Sequence, residues 1–295
     1  SSRIGEMRYR NLIWMHLLWS TLDGESKEKE SINNQYNLKK YDALRIYFDC
    51  SIGNLKIRPS NNRYIVTSDI SYSSILSKPE INLSDKNNVA RLDFKVSPEG
   101  ISANANTFNS LLDKGNDNYI INFQMPTKIS TDMNLSFGLG KVDLDFSGLR
   151  ISKLTMDCGL SDVTLISKKS NIIDCESIKI STGVSDFNSV GLGNLNSSFY
   201  HFDVGVGSAE IDMSGSANRD TKVKIEVTFG SLELKLPKNT NLNLIVDQNL
   251  LSSVNIKDLV SSGDGKYESK ENQKRWASMD IEISVGVGSI DVFIE

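Results

Sequence analysis

The sequence predicts an all-β chain folded as a parallel β-solenoid (single-stranded β-helix-like), with coils of about 22 residues and an irregular N-terminal end. Three observations carry this expectation. An eight-residue phrase (apolar, any, apolar, Gly or Ser, any, apolar, any, apolar) recurs, with lapses, from Cys50, Phe137, Cys158, Thr182, Val204, Val227 and Val285. From residue 137 to residue 227 the copies start 21 to 24 residues apart, the period of stacked units that cannot bury an apolar face alone. Within a copy the apolar residues alternate, as a strand requires, but their parity changes at the Gly or Ser.

The parity change predicts a corner. A two-residue bend at Gly140-Lys141 and its equivalents turns both halves of the phrase inward, and Gly or Ser accepts such a bend cheaply. The inward columns are then Phe137, Cys158, Thr182, Val204 and Val227 at position one, and Leu139, Leu160, Val184, Val206 and Phe229 at position three. Position six supplies Val142, Val163, Phe187, Ala209 and Leu232. Leu139 is expected to be buried beneath Leu160, and Asp143 to project into solvent. Thr182 and Ser189 make the coil over 182–189 the least well packed.

Taken in order, residues 1–37 stand apart from the rest. Arg8 and Arg10 precede an apolar run from Leu12 to Trp19, followed by a charged stretch from Glu25 to Glu30. The run is shorter than the ~20 residues of a membrane span. Two readings stay open, a signal-peptide core and a retained amphipathic helical segment. Residues 38–126 form the irregular first end of the stack, with strands expected around 44–57, 64–66, 90–96 and 119–123, and a helical turn over Thr107 to Lys114. Residues 127–236 are the regular coils. Residues 237–295 hold one more coil around Leu242, Leu244 and Val246, a polar surface loop from Ser261 to Arg275, and a final strand pair.

Composition narrows the function. The chain has 33 basic and 37 acidic residues, a net charge of −4, so nucleic acid is not the expected partner. The three cysteines form no C-x-x-C pair and read as buried thiols, the alternative being a disulfide that involves Cys175. His16 and His201 have no companion at metal-ligand or triad spacing. Gly138-Leu139-Gly140 and the glycines at 191 and 193 are corner glycines, because no helix follows to hold a phosphate. The sequence therefore predicts no catalytic, cofactor or metal residues.

The stretches SIGNLKI, NFQMPTKISTDMNLSFGLGKVDLDFSGLRISKLTMDCGLSDVTL, and LELKLPKN through VGVGSIDVFIE together resemble the bacterial toast-rack family over roughly residues 40–295. The end of the chain is similar to the C-terminal domain of LiaF-like envelope-stress proteins and to proposed adhesin solenoids. The resemblance implies an extracytoplasmic, often membrane-tethered cell-envelope protein without enzymatic activity or cofactor. LiaF-like members restrain a membrane sensor kinase. This sequence departs from them in having no multi-helix membrane domain ahead of the solenoid.

Two outward features are candidate sites. The final strand offers an edge at Val285, Val287, Ile290, Val292 and Ile294, to which a protein partner or a second copy could add. An acidic ladder places Asp162 near Asp186 and Glu210 near Glu233, one strand spacing apart. The first feature fits an interaction or adhesin-like protein, and a small-molecule substrate is not expected. The alternative is a polysaccharide-binding or polysaccharide-active solenoid that uses the ladder as a cation site or acid–base pair.

Overall fold

The computed structural model describes residues 29–73, 77–97, 119–216, 218–247 and 251–295. Six strands make the N-terminal end: β1 (Lys29–Asn37), β2 (Ala43–Pro59), β3 (Ile65–Ser73), β4 (Glu80–Lys86), β5 (Val89–Val96) and β6 (Tyr119–Met125). The middle holds β7 (Ser130–Asp145), β8 (Arg150–Ile166), β9 (Ile178–Val190), β10 (Phe199–Asp212) and β11 (Thr221–Leu236). The last part holds β12 (Asn241–Asp247), β13 (Ser252–Ile256), β14 (Leu259–Gly263), β15 (Lys266–Ser269) and β16 (Ser278–Ile294). All belong to one open sheet. Its spine is β2-β7-β8-β9-β10-β11-β16, parallel throughout, and each of these strands carries one copy of the phrase. The fold is a β-solenoid.

Each spine strand is bent into two arms, and the apolar side chains between the arms form the core. Phe48 on a first arm meets Phe94 and Phe123, which lie on different arms of the neighbouring coil, at centroid distances of 5.2 and 4.6 Å. Return segments close the coils. Between β8 and β9, the buried Asn171 amide donates to the carbonyls of Ile151 (2.7 Å) and Leu195 (3.0 Å), tying three successive coils together. Cys175 makes an isolated parallel bridge to Ser197. In the coil over 182–189, the Thr182 hydroxyl is buried with no hydrogen-bond partner among the described residues. Ser189 is better served, donating to the Glu210 carbonyl and accepting from the Asp212 amide.

The bend does not sit where the sequence pattern puts it. Position one is buried in every spine strand (Cys50, Phe137, Cys158, Thr182, Val204, Val227, Val285), and so is position six. Position three is not: Leu160, Val184, Val206 and Phe229 are 57, 53, 43 and 55 % exposed, and Leu139 is half-buried. Positions two and three therefore both face outward, and the inward phase resumes at position four. The corner is at Gly138-Leu139, and the expected inward column at position three is an outward one. Asp143 is also not free in solvent, since its carboxylate pairs with Arg58.

Backbone crowding explains the displacement. At position four the inside of the elbow lies against the carbonyl of the preceding coil. A Cβ on Gly207 would fall on the Ser185 carbonyl oxygen, and its φ of 138° is a conformation L-residues rarely adopt. At position two a Cβ on Gly159 would stand 2.8 Å from the Gly138 carbonyl oxygen. Positions two and four are thus both crowded by the preceding coil's backbone and hold small residues, so the larger apolar side chain falls at position three, on the outside of the elbow.

The ends also differ from expectation. The next coil beyond β2 is split, with β5 pairing its first arm and β6 its second. β4 covers β5 antiparallel, and β3 then β1 cover β6. β1 occupies residues 29–37 of the segment set apart as 1–37, whereas residues 1–28 and the helical turn over 107–114 lie outside the described residues. At the other end, β12 and β13 pair the two arms of β16 on the side away from β11. β16 is thus interior to the sheet, and the proposed edge of Val285, Val287, Ile290, Val292 and Ile294 is not an edge. Val285, Ile290 and Val292 are buried. The coil expected around Leu242 exists but stacks outside the later β16. The polar run expected as a loop, Ser261 to Arg275, instead holds β15 and the last part of β14, which pair as an antiparallel hairpin.

All three cysteines are free and buried, and burial pushes their thiols up, to about 12 for Cys50 and about 11 for Cys158 and Cys175. Cys175 forms no disulfide in this arrangement.

Three outcomes are expected from this architecture. Leu160→Ser should shift stability by less than about 1 kcal/mol, whereas Val163→Ser, three residues on and buried, should cost ~2 kcal/mol or more; denaturant melts with the order reversed would return the corner to Gly140-Lys141. Gly207→Ala should lower stability by at least ~2 kcal/mol, while Gly263→Ala, also at positive φ but with open space around it, should lose only ~1 kcal/mol. Ellman's reagent at pH 8 should label no cysteine of the native protein and all three in guanidinium; a native thiol that reacts within minutes would contradict the burial.

Candidate interaction surface

The outward elbow assembles one continuous feature. The pairing registers set Ile52 beside Leu139, then Leu160, Val184, Val206, Phe229 and Val287 in a single row along the stack. The row is closed at its N-terminal end, where Ile52 is buried and Tyr119 packs over the neighbouring Gly53. The Tyr119 hydroxyl donates to the Ser77 carbonyl at 2.7 Å, and its ring stacks on Tyr72, holding this cover in place. At the other end the register of β13 on β16 brings exposed Leu251 next to Val287, and the Gly288 amide donates to the Leu251 carbonyl. From Leu139 to Leu251 the ridge advances by six strand spacings, about 29 Å. Isolated exposed apolar residues are ordinary on a protein surface, but a contiguous row is not.

The rows flanking the ridge are acidic. On the position-five side stand Lys141, Asp162, Asp186, Ser208 and Ser231, the serines and aspartates in register with one another. On the other side, one residue before the phrase, stand Ser136, Asp157, Ser181, Asp203 and Glu226. Glu226 is already occupied, since His201 (2.9 Å) and Lys224 (3.1 Å) hold its carboxyl below the usual range. Asp157, Asp162, Asp186 and Asp203 are exposed and take part in no ion pair among the described residues. Between ridge and position five runs a groove of about 290 Å³, with Leu139, Leu160, Val184 and Val206 on one wall and Asp162 and Asp186 on the other.

The acidic ladder falls into two separate rows. Asp162 and Asp186 share the position-five row, where the Ser208 hydroxyl donates to Asp186 at 2.6 Å. Glu210 and Glu233 are direct cross-strand neighbours in the position-seven row, and the Asn188 amide donates to Glu210 at 3.0 Å. No group of three His, Cys, Asp or Glu side chains among the described residues could hold a metal ion. A larger cleft, about 620 Å³, lies elsewhere, on the outer face of the N-terminal second arm. Asn33, Gln35, Thr67, Asn122 and Gln124 line it beside Lys56 and Arg58. Alternation along the strands could have revealed these outward amides. The ridge was visible in the sequence only as a core column, because its residues are those of a buried one.

A family model, the N-terminal domain of toast_rack, DUF2154, matches residues 23–176. No curated protein matches the chain. Among solved structures, a proposed cell adhesion protein from Clostridium sporogenes is 18% identical with a TM-score of 0.50, covering 91% of this chain and all of its own. A proposed adhesin from Bacteroides fragilis is 14% identical with a TM-score of 0.39, covering 90% of this chain and 99% of its own. The Clostridium structure shares the fold. No helix among the described residues is long and apolar enough to cross a membrane. With the family match spanning more than half of its length, and the repeated bent strand as its unit, this chain belongs to the toast-rack family.

Proposed function

We propose that this chain is a non-enzymatic, adhesin-like interaction module of the bacterial cell envelope, in the class of proteins that assemble or sense at the cell surface. The observation that carries this reading is the ridge, a row of apolar side chains left in solvent by a fold that buries its other apolar columns. Family membership supports it, and so does the cell-adhesion description of the Clostridium protein. Each thiol on the chain is buried and raised, so none is poised as a nucleophile, and among the described residues no hydroxyl or thiol hydrogen-bonds to His201, whose ring nitrogen meets Glu226. Immobilised protein should capture isolated cell-envelope material, and the triple variant Val184→Ser/Val206→Ser/Phe229→Ser should lose most of that capture while melting like wild type. Undiminished capture by the triple variant would remove the ridge from the function.

Glycan binding is a second reading, favoured by the cross-strand pair Glu210–Glu233 and by the amide-lined cleft. A panel of polysaccharides with and without calcium tests it directly. Binding that Glu210→Gln/Glu233→Gln abolishes would support the ladder, and no binding to any polymer would discard it.

A further inference from the structure

We propose that the ridge and its acidic borders dock one cationic amphipathic helix, lying along the stack. This rests on the interaction reading above and names the chemistry of the partner. Two features of the surface select it, spacing and charge.

Successive rungs are one strand spacing apart, about 4.8 Å. The apolar seam of a helix advances about 5.25 Å per contact, from a 1.5 Å rise and a 3.5-residue repeat. Over the six steps from Leu139 to Leu251 a helix therefore drifts from the rungs by roughly 3 Å, less than one rung. An extended strand presents same-face side chains about 6.8 Å apart and drifts by roughly 12 Å, more than two rungs. The ridge length of about 29 Å corresponds to a helix of about 20 residues.

Charge then sets the sign of the partner. Asp157 and Asp203 border the exposed rungs on one side and Asp162 and Asp186 on the other, with Lys141 the one opposing charge in these two rows. A helix seated on the apolar rungs carries its flanking positions onto these carboxylates, so lysine or arginine there is complementary and glutamate is repelled. The same charges disfavour a second copy docked ridge to ridge, because each acidic border would face another. The groove between the rungs and the Asp162–Asp186 row has room for the side chains on one flank of such a helix.

The test uses the full chain and labelled peptides of about 20 residues, with leucine in the seam positions and either lysine or glutamate on both flanks. Fluorescence anisotropy reads binding and circular dichroism reads helix formation. The lysine peptide should bind saturably and gain helicity, at least tenfold more tightly than the glutamate peptide. Val184→Ser/Val206→Ser/Phe229→Ser should weaken it at least tenfold. Asp162→Asn/Asp186→Asn should weaken it several-fold and flatten its salt dependence, and Glu80→Gln, on a distant strand, should change nothing. Equal binding of the two peptides, binding indifferent to the triple variant, or a bound peptide without helicity would each overturn the proposal. A ridge-dependent dimer by analytical ultracentrifugation would overturn it in favour of a second copy. Loss of envelope capture by the triple variant, with no binding of the lysine peptide to wild type, would refute the helix while keeping the ridge as the working surface. Failure of both would refute the interaction reading itself.

Discussion

The structure depends on how closely one coil can lie on the next at the elbow. There the carbonyl of one turn points at the backbone of its neighbour and leaves little space for a side chain, so positions two and four of the phrase are glycine or serine in the spine strands, with Thr228 the one larger residue. That single exclusion sets much of the rest. It bends each strand into two arms that face each other across the core. It holds the phrases in register, since a slip of one residue would drive a larger side chain into the elbow. It also leaves the residue between the two small positions with only the outside to occupy.

The repeat made the architecture legible before any coordinates. A period of 21 to 24 residues, alternation within each copy and the small residue at position four all follow from stacking, and the registers return them directly. The placement of the corner was not legible in the same way. Restoring inward parity takes one two-residue bend, and the pattern of Phe137, Leu139 and Val142 admits it either before or after Gly140. A leucine or valine at position three looks the same in either case. Carbonyl-to-Cα crowding decides between them, and crowding is a property of two coils at once. The acidic pair Glu210–Glu233 was legible for the opposite reason, since its neighbours follow from a constant offset along regular strands.

The ends resisted sequence reading because stacking order there is not chain order. β16 is last in the chain yet lies between β11 and the earlier β12 and β13. These two shorter strands supply one arm each, so no intact phrase announces their coil. Split coils of this kind, covered mostly by antiparallel strands, are a way to finish a parallel stack without presenting a full-length open edge. The polar residues of β14 and β15, which read as a loop, are those expected on an outermost, solvated hairpin.

Those finished ends have a consequence for how such a molecule can vary. Because both terminal coils are built differently from the interior ones, neither is altered when an interior coil is gained or lost. A duplication of one unit between β7 and β11 would leave the covers untouched and add one rung to the row at the elbow. The fold behaves as a ruler whose two end-pieces are permanent and whose graduations, about 4.8 Å each, can be changed one at a time. Reach along the surface is then set by copy number rather than by the chemistry of any single residue.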